Sequence, residues 1–278
     1  MKKITRRSFM AAAGLTAAAL ALTACGGSAS STASSTASSA ASSEAASTSA
    51  AAELTTVEAG KLTMATNAAF PPYEMTTDAG EFEGIDVDPA QAIAEKLGLE
   101  LQIDDMDFDA ALLSVQQGKA DIAMAGITVT DERKAVMDFS DSYATGIQSI
   151  IVPEGSDITS PDDLAGKKIG TQRGTTGYIY CSDDFGDDAV VAYDDGLTAV
   201  QALNNGQVDA VVIDNAPAKE FVAANPGLVI LDTSYAEEDY AIGLAKGSAL
   251  EDAVNAALEE LKADGTLQSI VDKYITAE

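Results

Sequence analysis

The sequence predicts an α/β fold built as two lobes. Three observations support this prediction. Short apolar runs alternate with helical patterns between residues 60 and 246, one helix-glycine-strand unit occurs twice, and about 220 residues remain after an N-terminal leader and a polar tract. Alternating strands and helices are typical of βαβ units with largely parallel sheets. A chain of this length divides more readily into two lobes of ordinary domain size than it packs around one core.

Residues 1–24 are predicted to be a signal peptide. Lys2, Lys3, Arg6 and Arg7 give the segment a positive start, and a short, alanine-rich apolar stretch follows them. These features are typical of a secretory signal rather than of a membrane anchor. The run TRRSFM also resembles a twin-arginine signal, so the general secretory and the twin-arginine routes both stay open.

Residues 25–59 are predicted to be a lipidated tether. The run LTAC that ends at Cys25 resembles the bacterial lipobox, in which the cysteine is acylated and becomes the N-terminus. The following Ser/Ala/Thr tract has almost no apolar bulk to bury and behaves as a flexible coil, with a span of about 30 Å. A chance cysteine at a cleavage site leaves this tract unexplained. We therefore expect the protein at the extracytoplasmic face of a bacterial membrane, held there by the lipid alone.

The charge and the composition exclude several classes of function. The net charge of −28 becomes −32 once the four basic leader residues are removed, since 12 basic and 44 acidic residues remain. Such a field repels nucleic acid and anionic lipid surfaces, so neither is expected as a main partner. There is no histidine, and Cys181 is the one cysteine left beside Cys25. We therefore expect no internal disulfide, no metal and no cofactor.

The strands and helices follow from hydrophobic periodicity. Nine apolar runs are predicted strands: residues 62–66, 100–106, 120–126, 148–152, 167–172, 189–193, 208–214, 228–231 and 240–245. Apolar residues at helical spacing predict helices around residues 90–97, 108–115 and 250–261. The last of these indicates a helical C-terminal tail.

The internal repeat aligns residues 112–126 with residues 200–214 without a gap. Each copy has a helix, a glycine (Gly118 or Gly206) as a left-handed stop, and a strand that begins after an aspartate. Gly126 and Asp214 follow the two strands at equivalent places, where open α/β sheets bind ligands. The alternative is that this construction is simply a common one.

Arg133 is the candidate anchor for an anionic group. Of four arginines, two lie in the leader, and Arg133 follows the run AGITVTDE directly. Thr130 is predicted to cap a helix that holds Arg133 near its positive end. A guanidinium beside the Thr128 hydroxyl and free backbone N–H groups suits a carboxylate, which it binds through two parallel hydrogen bonds. The alternative is a surface ion pair with Glu132 or Asp131.

Several sequence blocks together resemble the polar-amino-acid family of solute-binding proteins that serve ABC importers. The blocks are TNAAFPPYE, FEGIDVDPAQAIAEKLG, MDFDAALLSVQQGKADIAMAGITVTDERKAVMDFSDSY and GTTG. The resemblance covers residues 60–278 and implies the two-lobed periplasmic-binding-protein type II fold, with a ligand cleft between the lobes. It places lobe 1 at residues 60–143 plus 242–278, and lobe 2 with two hinge crossovers at 144–241.

The same resemblance implies how the ends of an amino acid are held. Arg133 would take the α-carboxylate, helped by Thr128 and by backbone N–H groups of Thr175 or Thr176. The α-ammonium would be taken by Thr128 and by two acceptors at the repeat positions, Gly126 and Asp214. For Asp214 the alternative is a cap for the helix that begins NAPAKEF.

The resemblance also assigns the ligand's side chain. Phe70 and Phe108 would enclose it, although core packing explains an aromatic residue at a strand end equally well. Asn67 and Gln172 would face its outer part. Two amides and two rings favour a neutral polar or sulfur-containing side chain over a cationic one.

The predicted function is a monomeric, lipid-anchored receptor that binds a free L-amino acid and delivers it to the permease of an ABC importer. The alternative is an enzyme resembling cyclohexadienyl (prephenate or arogenate) dehydratases, which share the fold. Such an enzyme requires a general acid in the cleft, and no pair of residues stands out for that role. A sensor ectodomain would require a following membrane span and a signalling domain.

Overall fold

The computed structural model describes residues 54–275. The predicted signal peptide, Cys25 and most of the predicted tether lie outside the described residues. All of the described residues belong to one compact unit. Among the described residues, no helix is both long enough and apolar enough to cross a bilayer.

The N-terminal part of the unit contains seven strands and three helices. Their bounds are β1 Lys61–Thr66, β2 Ala69–Phe70, β3 Glu74–Thr76, β4 Phe82–Glu83, α1 Val87–Leu97, β5 Glu100–Asp105, α2 Phe108–Gln116, β6 Ile122–Ala123, α3 Asp131–Lys134 and β7 Met137–Phe139.

The remaining elements begin with a ten-residue strand. Their bounds are β8 Ala144–Pro153, β9 Ile169–Gln172, α4 Thr176–Phe185, β10 Val190–Tyr193, α5 Gly196–Asn204, β11 Ala210–Asp214, α6 Asn215–Ala224, β12 Leu228–Ile230, β13 Ala236–Tyr240, β14 Gly243–Ala245, α7 Glu251–Ala263 and α8 Thr266–Tyr274. Two short 3-10 turns lie at Pro161–Leu164 and Asp187–Ala189.

The strands form two large sheets, one in each lobe. The first has the order β5-β1-β6-β14-β7, and the second has the order β10-β9-β11-β8-β12, with β13 also paired to β8. In each sheet a parallel trio meets an antiparallel strand, β14 in the first and β8 in the second. A small third sheet, β2-β3-β4, lies in the first part of the chain. The predicted α/β class is therefore confirmed, although the sheets are mixed.

Two adjacent strands carry the chain between the lobes. β8 and β13 pair antiparallel, with Ala144 opposite Tyr240. The Tyr143 N–H donates to the Tyr240 carbonyl at 2.9 Å. The strand predicted at 240–245 is consequently interrupted, because Tyr240 ends β13 and Gly243 begins β14 in the other sheet.

Each lobe has its own apolar core. In the first, α1 and α7 contact each other and pack on the face of the sheet that carries Leu62 and Met64, while α2 packs on the opposite face, which carries Ala65. Leu62, Met64, Ile93 and Leu258 are fully buried there. The helical tail predicted near residues 250–261 is therefore confirmed as part of the first lobe.

The internal repeat is confirmed in three dimensions. β6 lies between β1 and β14, and β11 lies between β9 and β8. Asp121 accepts the Thr63 N–H at 2.8 Å, and Asp209 accepts the Lys168 N–H at 2.7 Å. Both aspartates therefore tie the entry of their strand to the neighbouring strand, which explains why the two segments share a pattern.

Some predicted bounds differ from the structure. Of the strand predicted at 120–126, only Ile122–Ala123 pairs as a strand, because the chain turns away towards the cleft at Gly126. β2, β3, β4 and β7 have two or three residues each and are too short for periodicity to identify.

Candidate functional site

A small, largely enclosed cavity lies between the lobes. The first lobe contributes Asn67, Phe70, Glu74, Phe108, Ala125, Gly126, Thr128 and Arg133, and the second lobe with the hinge strands contributes Gln148, Gln172, Thr175, Thr176 and Tyr240. Nine of the ten predicted binding residues thus lie together in one cavity, and Asp214 does not.

Arg133 reaches the cavity from the short helix α3. The Thr130 hydroxyl caps this helix by accepting the Arg133 N–H at 3.1 Å, as predicted. The guanidinium donates through Nη1 to the Thr128 carbonyl at 2.8 Å and through Nη2 to the Gly174 carbonyl at 3.1 Å. Since Gly174 belongs to the second lobe, Arg133 connects the two lobes.

The Arg133 side chain is a buried cation with donors to spare. The residue is 8% exposed, and its guanidinium lies 5.3 Å from the centre of the Phe108 ring. Burial lowers the Arg133 pKa, and the charge of Glu238 opposes that shift. The hydrogen bonds to described residues use two of the five guanidinium N–H groups, which leaves others for a ligand.

The turn opposite Arg133 begins helix α4. Thr175 caps the helix and donates its hydroxyl to the Gln172 carbonyl at 2.8 Å. Gly174 approaches the first lobe so closely that a Cβ there would lie 1.7 Å from Asp109 Oδ1. The turn GTTG therefore requires glycine at its first position and presents a helix N-terminus, with its unpaired N–H groups, beside the cavity.

Thr128 connects the first lobe to both the second lobe and the hinge. Its hydroxyl lies 3.3 Å from the Thr176 hydroxyl and 3.1 Å from Glu238 Oε2. The same Glu238 oxygen accepts the Gln148 amide at 3.0 Å. The Thr128 hydroxyl is therefore held at the junction of three segments.

The far end of the cavity is closed by two amides. Gln172 Nε2 donates to Asn67 Oδ1 at 2.8 Å, and Asn67 Nδ2 donates to the Met106 carbonyl at 3.0 Å. Phe70 and Phe108 supply the aromatic walls. This end of the cavity therefore combines apolar faces with neutral polar groups.

Asp214 lies at a neighbouring cleft. Its Oδ2 accepts the Ile147 N–H at 2.7 Å, and its Oδ1 accepts the Ala216 N–H at 2.9 Å. The carboxylate therefore caps α6, which is the alternative predicted for Asp214 from the sequence. Burial raises the Asp214 pKa to about 6. Both oxygens are thus engaged by the backbone of its own lobe, and the side chain lines a second cleft with Tyr73 and Lys219.

Four lining residues were not predicted: Glu74, Ala125, Gln148 and Tyr240. Glu74 ends the sequence block TNAAFPPYE, and Ala125 precedes Gly126, so proximity in sequence pointed to both. Gln148 and Tyr240 lie on the hinge strands, whose role depends on the sheet topology rather than on any local pattern.

Arg173 and Cys181 do not line the cavity. Arg173 is exposed, with its guanidinium 3.6 Å from the Asp194 carboxylate. Cys181 is buried in the second lobe, and burial raises its pKa to about 12. Between residues 54 and 275, no cluster of His, Cys, Asp or Glu side chains is arranged to hold a metal ion.

Two α/β lobes joined by paired hinge strands around a polar cavity define a solute-binding protein of the periplasmic type II class. The chain belongs to the bacterial extracellular solute-binding proteins, family 3, whose model matches residues 62–277. Since this family consists of solute-binding proteins, the match favours a receptor over the dehydratase alternative.

Several similar proteins are named as amino-acid-binding proteins. A probable histidine-binding protein of Neisseria gonorrhoeae is 32% identical over 275 residues, which cover 96% of this chain and 95% of the relative. The L-cystine-binding protein TcyJ of Escherichia coli K12 is 33% identical over 226 residues, covering 80% and 85%. The solved arginine-, lysine-, histidine-binding protein ArtJ from Geobacillus stearothermophilus has a TM-score of 0.75 and 35% identity, covering 78% of this chain and 96% of that one.

Proposed function

We propose that this protein is an extracytoplasmic receptor that binds a free L-amino acid and delivers it to an ABC importer. The observation that carries the proposal is the buried Arg133 guanidinium, which has unused N–H donors at a cavity between two lobes. Each of its two hydrogen-bond acceptors in the protein is a neutral carbonyl. A ligand carboxylate would supply the missing counter-charge through charge-assisted hydrogen bonds.

The α-carboxylate is proposed to lie between Arg133 and the start of α4. Thr175 and Thr176 line the cavity there, and the first N–H groups of a helix favour an anion. Thr128 is the predicted further donor from the first lobe, once its hydroxyl turns from Glu238 Oε2, to which it donates in this conformation. Each charge-assisted bond shielded from water contributes about 1.5 to 3 kcal/mol.

The α-ammonium is proposed to lie on the wall formed by Gly126 and Thr128. The Gly126 carbonyl is an acceptor. A Thr128 hydroxyl that donates to Glu238 accepts from the Thr176 hydroxyl and keeps one lone pair for the ammonium. Asp214 remains a predicted acceptor, although in this conformation its oxygens bond Ile147 and Ala216.

A neutral polar or sulfur-containing side chain is the proposed preference. The Asn67 and Gln172 amides and the Phe70 and Phe108 rings support it, because none of these groups carries a charge that would select a cation. One relative is named as a cystine-binding protein, which agrees with this preference. Other relatives are named as histidine- or arginine-binding proteins, so basic amino acids also have to be tested.

Ligand binding is proposed to stabilise the closed arrangement of the lobes. Groups from both lobes meet at the cavity, as in the pairs Arg133 with Gly174 and Asn67 with Gln172. A ligand that contacts both walls has a higher affinity for the closed state, and this difference shifts the population towards closure. The importer's permease would then recognise the closed form, with the receptor acting as a monomer.

The screen that tests the proposal uses the purified protein from residue 54 onward, which includes every described residue. Calorimetry against the twenty standard amino acids, cystine and ornithine is expected to give at least one dissociation constant of about 1 μM or lower, which corresponds to about 8 kcal/mol. A screen without any binding would refute the proposal.

Lipid anchoring is proposed from the LTAC run and the polar tract that follows it. In a bacterial host grown with labelled fatty acid, the full-length chain is expected to incorporate label and to remain with the membrane. Cys25→Ala should lose the label and appear in the soluble extracytoplasmic fraction. Label that persists in Cys25→Ala would contradict the lipobox assignment.

A further inference from the structure

The cavity between the lobes is too small for an amino acid. Its volume is about 20 Å³, whereas one buried water alone needs about 10 to 15 Å³ of comparable space. One water therefore fits, but even glycine, with its carboxylate and its ammonium group, does not. The arrangement of the lobes described here thus excludes the proposed ligand.

Two hydrogen bonds draw the walls of the cavity together. Arg133 Nη2 of the first lobe donates to the Gly174 carbonyl of the second lobe at 3.1 Å. At the far end of the cavity, Gln172 Nε2 donates to Asn67 Oδ1 at 2.8 Å. Each bond joins its donor directly to its acceptor, so a ligand group cannot lie between them. Groups of the protein thus satisfy one another where a ligand would otherwise meet them.

The lobes also touch at two further points. The Thr128 hydroxyl of the first lobe lies 3.3 Å from the Thr176 hydroxyl of the second. A Cβ on Gly174 would lie 1.7 Å from Asp109 Oδ1, so the turn before α4 packs directly on the first turn of α2. An amino acid therefore cannot enter while all of these contacts persist.

We propose that this arrangement is a self-occluded form of the receptor, in which contacts between the lobes exclude the ligand. The proposal rests on the proposed amino-acid function and adds a step to it: the lobes part before an amino acid binds. The closed form that holds the amino acid is consequently wider than the occluded form. Because only the opened form binds, the apparent dissociation constant is the intrinsic constant divided by the opened fraction, and occlusion weakens the affinity.

A disulfide between positions 109 and 174 would report the occluded form. A Cβ on Gly174 would lie 2.6 Å from Asp109 Cγ, so cysteines at both positions bring their Cβ atoms near the separation of about 3.8 Å that a disulfide requires. Widening the cleft moves the two positions apart and prevents this bond. The test uses the protein from residue 54 onward with Asp109→Cys and Gly174→Cys, and diamide as the oxidant. Cys181 is buried and does not compete.

The probe is the amino acid, cystine excepted, that binds the reduced double variant most tightly in the calorimetric screen. At saturation this amino acid is expected to slow disulfide formation at least about tenfold, because nearly every molecule is then in the wider form. A non-binding amino acid from the same screen is the control for chemical effects on the oxidation. Disulfide formation that the bound amino acid speeds up or leaves unchanged would overturn the occluded form, while the receptor function would stand.

The binding kinetics of the unaltered protein give a second measurement, which does not depend on how the variant folds. With the amino acid in large excess, the observed rate is expected to reach a plateau set by the rate of opening. With the protein in large excess, the amino acid meets molecules that are already open, so the observed rate is expected to rise linearly with protein concentration. A plateau in both experiments would show that the lobes close only after binding, which contradicts the proposal. If no amino acid binds the wild type, the receptor function fails, and the occluded form fails with it.

Discussion

Among residues 54–275, Arg133 is a buried cation without an ion pair. No salt bridge of residues 54–275 includes it, and its two bonded acceptors are carbonyl oxygens of Thr128 and Gly174. Carbonyl dipoles and the Phe108 ring offset part of the desolvation cost of the guanidinium, and a carboxylate would offset far more. Burying the Arg133 guanidinium therefore has a desolvation cost, and an anionic ligand would reduce that cost.

Replacing Arg133 tests this role directly. Arg133→Ala is expected to weaken amino-acid binding at least about 100-fold, because it removes two charge-assisted hydrogen bonds to the ligand. Arg173→Ala is the matched control, since Arg173 is exposed at the rim beside Asp194. Titration calorimetry gives the affinities, and circular dichroism verifies that both variants fold. Equal losses in the two variants would show that the carboxylate clamp is misassigned.

At the residue scale, the sequence predicted the position of a side chain where a functional group of suitable chemistry lay within a recognisable motif. Arg133 and Thr128 could be predicted because the AGITVTDER run fixes a strand end, a turn and a helix start within nine residues. The contacts of Asp214 could not be predicted, because the direction of its side chain depends on the Ile147 and Ala216 amides that fold against it. Glu74 was not predicted, although it ends the block TNAAFPPYE, because periodicity cannot identify a buried glutamate in a three-residue strand.

At the scale of elements, the hinge pair β8 and β13 is the part that connects the lobes. Gly146 on β8 lies beneath the Tyr240 ring, and a Cβ at this position would lie 2.3 Å from Tyr240 Cζ. Tyr240 in turn lines the ligand cavity. Because Gly146 packs closely against the Tyr240 ring, the packing of the hinge strands affects the position of a residue that lines the cavity.

Gly146→Ala is expected to disturb both properties. The added methyl group must displace the Tyr240 ring, which costs about 1 to 3 kcal/mol of unfolding free energy and weakens ligand binding. Gly170→Ala on β9 is the comparison, because a Cβ there would meet its nearest neighbours, methyl groups of Val208 and Val211, at 3.2 Å rather than at 2.3 Å. Urea denaturation and calorimetry measure the two effects. Unchanged affinity in a destabilised Gly146→Ala protein would separate the hinge from the site.

Long helices were predicted from the sequence more reliably than short strands and their ends. The helices over residues 90–97, 108–115 and 250–261 were predicted because several turns of apolar spacing accumulate in each. The interruption between β13 and β14 could not be predicted, since the apolar run from Tyr240 to Ala245 is continuous in sequence and only the crossing between lobes divides it.

At the scale of the whole molecule, buried acids shape the dependence of stability on pH. Burial raises the pKa of Asp86 and of Asp214 to about 6. A carboxyl group with a raised pKa in the folded state binds protons more tightly there than in the unfolded chain, so its contribution to stability is lost as the pH rises from about 4 to 6. Protonation also lessens the repulsion among 44 acidic residues.

The free energy of unfolding is therefore expected to be larger at about pH 5 than at about pH 7.5, by on the order of 1 kcal/mol for each of these two groups. Urea denaturation of the ligand-free protein at both pH values, in high salt to screen surface charges, measures the difference. Asp214→Asn should show a smaller gain on acidification. Stability that falls between pH 7.5 and pH 5 would contradict the buried-acid account.

The most direct test of the receptor account is a crystal structure of the complex with the amino acid that the screen identifies. We expect the α-carboxylate to lie within hydrogen-bond distance of the Arg133 guanidinium, enclosed by both lobes, with the ammonium on the wall of Gly126 and Thr128. An amino acid bound elsewhere, with Arg133 touching only Thr128 and Gly174, would contradict the central claim.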